Sequence, residues 1–497
     1  GISYRIIDKN ENIAVYSGAL IHQARTMEIL DQLGLAEKAI KSGVIVNKIN
    51  IIFRGKKIST IEAKNIGQGL SKFPFWLMLE QSKTEHLLCD YLSSNEIQVE
   101  RKKELTKISD DNQIVTSHIK NEEGQIEKIE SRFLVGADGG NSAVRKLINI
   151  NFTGKNFPLP LFVLDSKARV DFNSDEISFC LSDKTLAGFF PLSNGRWRID
   201  SEIPQEIQEQ ASFGKISKNF ADSIRIDIEF YNAEWFTVFH VREKHAEVFH
   251  KKNCFIIGDA AHVFSPIGAQ GMNTGIQDAF NLAWKLSMYI QGKGKQKLVD
   301  SYSVERMAIA KKISSFTSKI FYVMTTKKRA ARFLRLHIIP KLIILLSPLT
   351  KTKFIRRVIF ETMSEISLNY RKSPLSVNTN RRKYKGPQPG DRMPYLIFRD
   401  ENGIETNLHD KIDFTRFQLF IFSRNNTSLD ELKVAEKYKD IISVEKIPFH
   451  AGTESIYKNL GIQKKEYFLV RPDMHLSWRN DKPETAELEK FLKNFFT

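Results

Sequence analysis

The segment Cys254–Leu286 reads CFIIGDAAHVFSPIGAQGMNTGIQDAFNLAWKL. Its first residues predict a short buried strand that carries Asp259 at its carboxyl end. Three glycines follow and let the backbone approach a ligand closely: Gly268, Gly271 and Gly275. They lead into a predicted helix, Asn273–Ile290, whose free N–H groups favour an electron-rich or anionic group. This order is typical of a ligand site at the mouth of a parallel sheet; an ordinary strand-to-helix turn is the alternative interpretation.

A second segment, Phe133–Lys146, has the same pattern in the sequence FLVGADGGNSAVRK. A short strand ends in an acidic residue, Asp138, and two glycines precede a helix. Asn141 or Ser142 can cap that helix, and Arg145 could pair with Asp138 or with a phosphate. A capped loop with a structural salt bridge is the alternative. Because both segments place an acid at a strand end, we expect the two acids to line one cleft.

The composition indicates a soluble globular protein, with 41% hydrophobic and 27% charged residues. A chain of 497 residues is too long for one hydrophobic core, so we expect two or three domains. The three cysteines are scattered and form no CxxC pair, which argues against a disulfide framework or a zinc site and fits the cytoplasm. The net charge is +17, but no nucleic-acid-binding motif accompanies the basic residues. We therefore predict no nucleic-acid partner and no metal.

The most apolar stretch is Leu336–Leu349, LHIIPKLIILLSPL. Pro340, Lys341 and Pro348 interrupt it, and five basic residues precede it. We predict that it is too short and broken to cross a bilayer and forms a buried or interfacial helix. Weak contact with a membrane surface is therefore an open prediction.

The remainder of the chain divides at a segment rich in glycine and proline, Lys385–Pro394. Beyond it a separate βα pattern begins, with apolar strands at Phe417–Phe422 and Tyr467–Val470. An apolar helical stripe closes the chain and consists of Leu488, Phe491, Leu492 and Phe495.

The two acid-tipped segments resemble motifs of the flavoprotein aromatic hydroxylases of the para-hydroxybenzoate and phenol hydroxylase type. Gly258-Asp259 matches that family's GD motif, and Asp138-Gly139 matches its DG motif. The resemblance implies that Asp259 binds the ribityl chain of FAD. It implies that Asp138 and Gly139 serve FAD and the use of a pyridine nucleotide.

The resemblance extends to the glycine-rich helix start, which is implied to hold the flavin pyrimidine edge through backbone groups of Gly268, Gly271, Met272 and Asn273. Pro266 matches a proline near the flavin ring. Ala269 departs from the family pattern, since glycine is common there.

Three further positions match the family more loosely. Asp8 corresponds to the acid that binds the adenosine ribose, and a solvated strand end is the alternative. Arg25 corresponds to an arginine near the FAD phosphates and active site, and a surface helix arginine is the alternative. Gln81 corresponds to a glutamine that contacts the cofactor, and a polar residue in a first helical turn is the alternative.

The fold that the resemblance implies is α/β. A Rossmann-like FAD-binding domain would carry an inserted β-sheet substrate domain, followed by a helical segment and a C-terminal thioredoxin-like domain. The implied bounds are 1–44, 75–152 and 250–312 for the FAD-binding domain, 45–74 and 153–249 for the substrate domain, 313–385 for the helical segment and linker, and 386–497 for the thioredoxin-like domain. Without a CxxC the last domain cannot perform dithiol chemistry, so we expect it to serve in packing or in a homo-oligomer.

The family begins with a strand and a GxGxxG loop that wrap the FAD pyrophosphate. The resemblance implies that about 25 residues of this βαβ unit precede Gly1. A chain without them could fold poorly or fail to hold FAD.

The implied function is hydroxylation of a phenolic or polyketide-like ring, with NAD(P)H as hydride donor to FAD and dioxygen as oxygen donor. A base that deprotonates the phenol is expected, but no catalytic residue can be named. Phe189, Phe190 and Pro191 could line the substrate cleft, although core packing is favoured for them. The alternatives are a flavin reductase or halogenase on the same scaffold and a truncated or decayed flavoprotein without activity.

Overall fold

A computed structural model describes residues 2–16, 18–203, 212–326, 328–377, 385–424, 436–481 and 486–497. The predicted domain bounds therefore include some residues outside the described part, among them 378–384 of the linker. The α-helices of the described part are α1 (Ala24–Gln32), α2 (Ala36–Ser42), α3 (Gln81–Ser94), α4 (Ala143–Leu147), α5 (Phe213–Ile224), α6 (Gly271–Ile290), α7 (Gln296–Thr325), α8 (Arg329–Phe333), α9 (Ile339–Leu346), α10 (Lys353–Met363), α11 (Glu454–Leu460) and α12 (Ala486–Phe495).

The strands fall into several sheets. In chain order they are β1 (Ile6–Ile7), β2 (Ile21–His22), β3 (Val44–Ile45), β4 (Lys48–Phe53), β5 (Lys56–Glu62), β6 (Leu77–Met78), β7 (Val99–Glu100), β8 (Glu104–Asp110), β9 (Val115–Lys120), β10 (Ile126–Ser131), β11 (Leu134–Gly136), β12 (Phe152–Val170), β13 (Glu176–Leu181), β14 (Leu186–Leu192), β15 (Arg196–Glu202), β16 (Ile228–Ala246), β17 (His250–Lys251), β18 (Cys254–Ile256), β19 (His262–Val263), β20 (Ile397–Arg399), β21 (Glu405–Asn407), β22 (Phe417–Ser423), β23 (Ile442–Pro448), β24 (Lys465–Val470) and β25 (Leu476–Asn480).

Short parallel strands form the centre of the first part of the chain. β1 pairs with β7, and β11 pairs with β18, both in parallel. Phe255 and Ile256 of β18 are fully buried against Leu282 of α6 and Tyr302 of α7. Gly136 ends β11 without a side chain because a Cβ there would lie 2.6 Å from Val144. The predicted mixed α/β fold is confirmed.

An eight-stranded sheet, in the order β19-β16-β12-β15-β14-β13-β4-β5, lies beside this core. One of its faces is covered by α5, where Phe189 and Phe220 pack together. The opposite face carries Phe179 and Phe190, which pack with Trp76 and other residues of the first part. Phe189 is thus a core residue on the far side of the sheet, as the favoured interpretation had it.

The C-terminal part contains a four-stranded sheet in the order β23-β22-β24-β25. β22 and β23 are parallel, and the other pairs are antiparallel. Side chains alternate along β22, so that one set packs against α12 on one face of the sheet and the other set packs against α11 on the opposite face. This arrangement is compatible with a thioredoxin-like fold, which stays a prediction, as do the domain bounds.

Residues 329–351 form one helical run that is longer than the sequence predicted. Pro340 and Pro348 do not break it, because each falls in the first turn of a new helical segment, where its missing N–H is not needed. By length and composition alone this run is apolar enough to cross a membrane, and only 11% of its most apolar window is buried.

Candidate functional site

The two predicted acids lie at the same edge of the parallel pair. Gly136 and Ile256 are partners in register, so Asp138 and Asp259 follow neighbouring strands in the same direction. The backbone N–H of Ile257 donates to the carbonyl of Gly136 at 3.0 Å. The expectation that the acids share one edge is therefore met.

Asp259 lies in a tight turn, Gly258–Ala260, that follows β18. Gly258 has a φ of +55°, and a Cβ on Gly275 would lie 3.2 Å from its Cα, so the turn and helix α6 touch through glycine. Asp259 is exposed to solvent. Partial desolvation of its carboxyl by the surrounding protein raises the pKa of Asp259, and His262 opposes the rise. A carboxylate so placed can accept hydrogen bonds from the hydroxyls of a polyol.

Asp278, on helix α6, anchors this turn, and sequence reasoning missed it. Its Oδ2 accepts from the backbone N–H of Gly258 at 3.0 Å and lies 2.5 Å from His262 Nε2. Its Oδ1 accepts from Arg306 Nε at 2.5 Å. Burial acts to raise the pKa of Asp278, but His262 and Arg306 hold it below its ordinary value. The sequence does contain a feature that could have identified Asp278: it is an acid one helical turn after Gly275, on the buried face of α6.

Asp138 caps helix α4. Its Oδ1 accepts from Ser142 Oγ at 2.5 Å, and its Oδ2 accepts from the N–H of Val144 at 3.0 Å. Ser142 in turn accepts from the N–H of Arg145, as a capping residue should. Gly139, with φ +76°, needs the left-handed region that glycine enters freely.

Arg145 joins the two acidic loops through their backbones. Its guanidinium donates to the carbonyls of Gly140 and Ala260, each at 2.8 Å, and lies over the ring of Phe152. The structure therefore shows no hydrogen bond between its side chain and Asp138, because both guanidinium arms are directed at the loop carbonyls.

The glycine loop, residues 266–273, turns sharply before α6. Ala269 N–H donates to the carbonyl of Pro266 at 3.1 Å, and Gly268 and Ala269 have φ of +84° and +51°. A Cβ on Gly271 would meet no atom within 4 Å, so the helix start faces open space. Met272 is half-buried and Pro266 is exposed.

Asn273 is fully buried and holds the glycine loop to the start of α1. Its Oδ1 accepts from Gln23 N–H at 2.9 Å and from Thr26 Oγ1 at 2.6 Å. Its Nδ2 donates to the carbonyls of Ile21 and Ala269, each at 2.8 Å. With these partners satisfied, Asn273 can offer a ligand its backbone and not its side chain, which agrees with the predicted mode of binding.

The side chains at the three looser positions each have a partner within the protein. Asp8 is paired with Arg101 at 2.7 Å, and Gln81 donates to Glu85 at 2.7 Å. Arg25 is buried and donates to the carbonyl of Asp473 at 2.8 Å, in the C-terminal part. Their cofactor roles stay predictions.

The residues present fit a flavin nucleotide. The exposed carboxylate of Asp259 suits the hydroxyls of the ribityl chain, and the open start of α6 presents N–H groups and a partial positive charge to an electron-rich ring edge. Gly258, Gly268 and Gly275 keep the surrounding backbone free of side chains.

Comparison with known proteins identifies the family of the chain. A family model described as the FAD binding domain matches residues 1–317. The chain is 27% identical to a 6-methylpretetramide 4-monooxygenase of Streptomyces rimosus over 99% of the chain and 89% of that protein. It is 26% identical to a pentachlorophenol 4-monooxygenase of Sphingobium chlorophenolicum over 89% and 79%.

Solved structures share the fold over nearly the whole chain. An aklavinone-11 hydroxylase in a ternary complex with FAD and aklavinone superposes with a TM-score of 0.78 at 19% identity, covering 98% of this chain and 93% of that one. Together with the family match and the acid-tipped edge, these relatives show that the chain belongs to the FAD-binding-domain family and is a flavin-dependent monooxygenase.

Proposed function

We propose that the protein hydroxylates a phenolic or polyketide-like aromatic ring with FAD, NAD(P)H and dioxygen. The observation that carries the proposal is the convergence of Asp259, Asp138 and the glycine loop at one edge of the parallel pair. Asp259 and the glycine loop would hold FAD, which would supply hydride transfer from NAD(P)H and the transfer of one oxygen atom from dioxygen to the ring. The protein binds and orients both partners and excludes water.

The relatives support an aromatic substrate, since their names specify a pretetramide, a chlorinated phenol and aklavinone. The structure offers an apolar wall for such a ring. Ile267 of the glycine loop packs against an apolar cluster that includes Leu161 of β12 and Val241 of β16. The junction of the cofactor loop with the eight-stranded sheet is therefore apolar.

The reaction type can be tested by supplying the FAD-loaded protein with NADH or NADPH and a panel of phenols and polycyclic aromatic compounds. A monooxygenase is expected to oxidise the nicotinamide faster when its substrate is present and to release a hydroxylated product that requires dioxygen. Nicotinamide oxidation that yields no hydroxylated product would indicate a reductase. A halogenated product that requires chloride or bromide would indicate a halogenase.

We further propose a cytoplasmic location with weak contact to an anionic membrane surface. The contact would be made by a basic arm, residues 328–363, in which Leu345 and Phe354 are 70% and 72% exposed. Basic residues surround these apolar side chains, and Glu361 is the arm's single acid; the basic residues are Lys328, Arg329, Arg332, Arg335, Lys341, Lys351, Lys353, Arg356 and Arg357. Exposed apolar residues among basic ones suit the boundary between anionic head groups and acyl chains.

The arm also reaches the cofactor loop. Phe360, near the end of α10, is fully buried against the first part of the chain, and Met363 lies 3.9 Å from where a Cβ on Gly268 would stand. A membrane-bound arm would thus hold the glycine loop close to the surface in which an apolar aromatic substrate dissolves. Homo-oligomer formation stays a prediction.

Sedimentation with vesicles tests this contact. We expect the protein to bind phosphatidylglycerol-containing vesicles at low salt, to bind pure phosphatidylcholine less, and to dissociate as salt rises. The double variant Leu345→Ser, Phe354→Ser is expected to lose most of this binding. Ile404→Ser, which alters an exposed apolar residue outside the arm, is the matched control. Equal binding by the double variant and the control would refute the role of the arm.

A further inference from the structure

Asp200 is an acid with an unsatisfied oxygen in the middle of the eight-stranded sheet. It lies on β15 between Val163 of β12 and Gly188 of β14. Its Oδ1 is buried and has no hydrogen-bond partner among the described residues. Buried polar atoms almost always have a partner. This oxygen can therefore still accept a hydrogen bond from a ligand.

The neighbouring charges do not satisfy this oxygen. Arg198, two residues along the same face, donates to both oxygens of Asp165 at 2.8 and 2.7 Å, and its third nitrogen donates to the carbonyl of Gly18. Burial raises the pKa of Asp200 to about 7; Arg198 lowers it and Asp165 raises it. The carboxyl can therefore exchange a proton near neutral pH.

Aromatic rings border the same position. Gly188 has no side chain, and a Cβ there would lie 2.7 Å from the ring of Phe190. The rings of Phe179 and Phe190 meet edge to face at 5.8 Å. Asp200 thus lies beside an apolar aromatic wall, where one polar group can orient an otherwise apolar ring.

This face of the sheet is the one that meets the glycine loop. Side chains alternate along β12, so Leu161 and Val163 share the face of Asp200. Leu161 belongs to an apolar cluster against which Ile267 of the glycine loop packs. Val163, the partner of Asp200, is therefore two residues along β12 from a cluster that the cofactor loop contacts.

We infer that Asp200 binds the ring hydroxyl of the phenolic substrate and accepts its proton. This inference rests on the proposed function and names the base that the function requires. The O–H bond of the substrate breaks, the proton passes to the carboxylate of Asp200, and the electron pair remains on the phenolic oxygen. That pair raises the electron density of the ring, which favours the transfer of oxygen to it.

The test compares Asp200→Asn with the wild type and with Glu229→Gln, a neutralised exposed acid on β16 of the same sheet. A phenol found to be hydroxylated serves as the substrate. We expect Asp200→Asn to lower kcat by about 100-fold or more, as loss of a general base does. The wild-type kcat should fall below about pH 7 as Asp200 becomes protonated, whereas the residual activity of Asp200→Asn should not follow this titration. Glu229→Gln should match the wild type.

A binding measurement separates this inference from the proposed function. 4-Methylphenol and toluene differ only in the ring hydroxyl, and 4-methylphenol keeps its proton near neutral pH. Just above pH 7 the wild type should prefer 4-methylphenol by about 10-fold, the effect of one hydrogen bond to a charged group, and Asp200→Asn should lose that preference. An unchanged kcat, pH profile and preference in Asp200→Asn would overturn the inference, while hydroxylation by the wild type would leave the proposed function intact. A wild type that prefers 4-methylphenol but hydroxylates nothing would overturn the function instead.

Discussion

Replacing Arg471 with alanine is expected to destabilise the protein by about 3–5 kcal/mol, because it removes one partner from a fully buried ion network. Arg471 donates to Glu305 of α7 at 2.6 and 2.9 Å and to Asp473 at 2.9 and 2.6 Å. Arg471 and Glu305 are completely inaccessible to solvent. The variant would leave Glu305 with Lys285 and leave Asp473 without its guanidinium.

The free energy of unfolding in urea measures this effect, and Arg169→Ala is the matched control. Arg169 forms an exposed pair with Glu229, and loss of an exposed pair costs at most about 1 kcal/mol. The network joins α6 and α7 to the C-terminal part. Unfolding of that part of Arg471→Ala at a lower urea concentration than the rest would therefore also agree with the prediction. Equal stability of the two variants would show that the buried network contributes nothing.

The stability of Asp200→Asn is expected to depend on pH less than that of the wild type. The pKa of Asp200 rises from 3.8 to about 7 on folding, so the folded state favours its protonated form. The resulting stability is fully present below pH 3.8 and is lost as pH rises to about 7. Asparagine does not titrate, so the variant should gain up to about 4 kcal/mol relative to the wild type across this window.

Unfolding in urea between pH 4 and pH 8 measures this difference. Asp227→Asn is the control, because Asp227 is an exposed acid and its removal should leave the wild-type curve unchanged. The difference between Asp200→Asn and the wild type should grow up to about pH 7 and then level off. A constant difference would show that Asp200 is not perturbed by burial.

Local sequence predicted the acid-tipped edge well, because a short apolar strand, an acid and a glycine-rich helix start are encoded within one stretch of chain. The strands 134–136 and 254–256 lie within the two segments that predicted them, and the helix 271–290 begins two residues before its predicted start. The opening strand covers only Ile6–Ile7, the two residues that pair with Val99–Glu100.

Contacts between residues that are far apart in the chain could not be predicted from local sequence patterns. The environment of Asp200 depends on the register of β12, β14 and β15, and no nearby residue in the sequence signals it. Arg25 was expected near the FAD phosphates, yet its guanidinium meets Asp473, 448 residues further along the chain. The anchor formed by Asp278 and Arg306 likewise joins two helices.

A titration of the protein with FAD, followed by flavin fluorescence, tests the central claim that Asp259 and the glycine loop form the flavin site. The wild type and the control Asp227→Ala should bind FAD alike, and Asp259→Ala should bind it about 10- to 100-fold more weakly, through loss of hydrogen bonds to a charged acceptor. Equal affinity in Asp259→Ala and the control, or no binding by the wild type, would contradict the account.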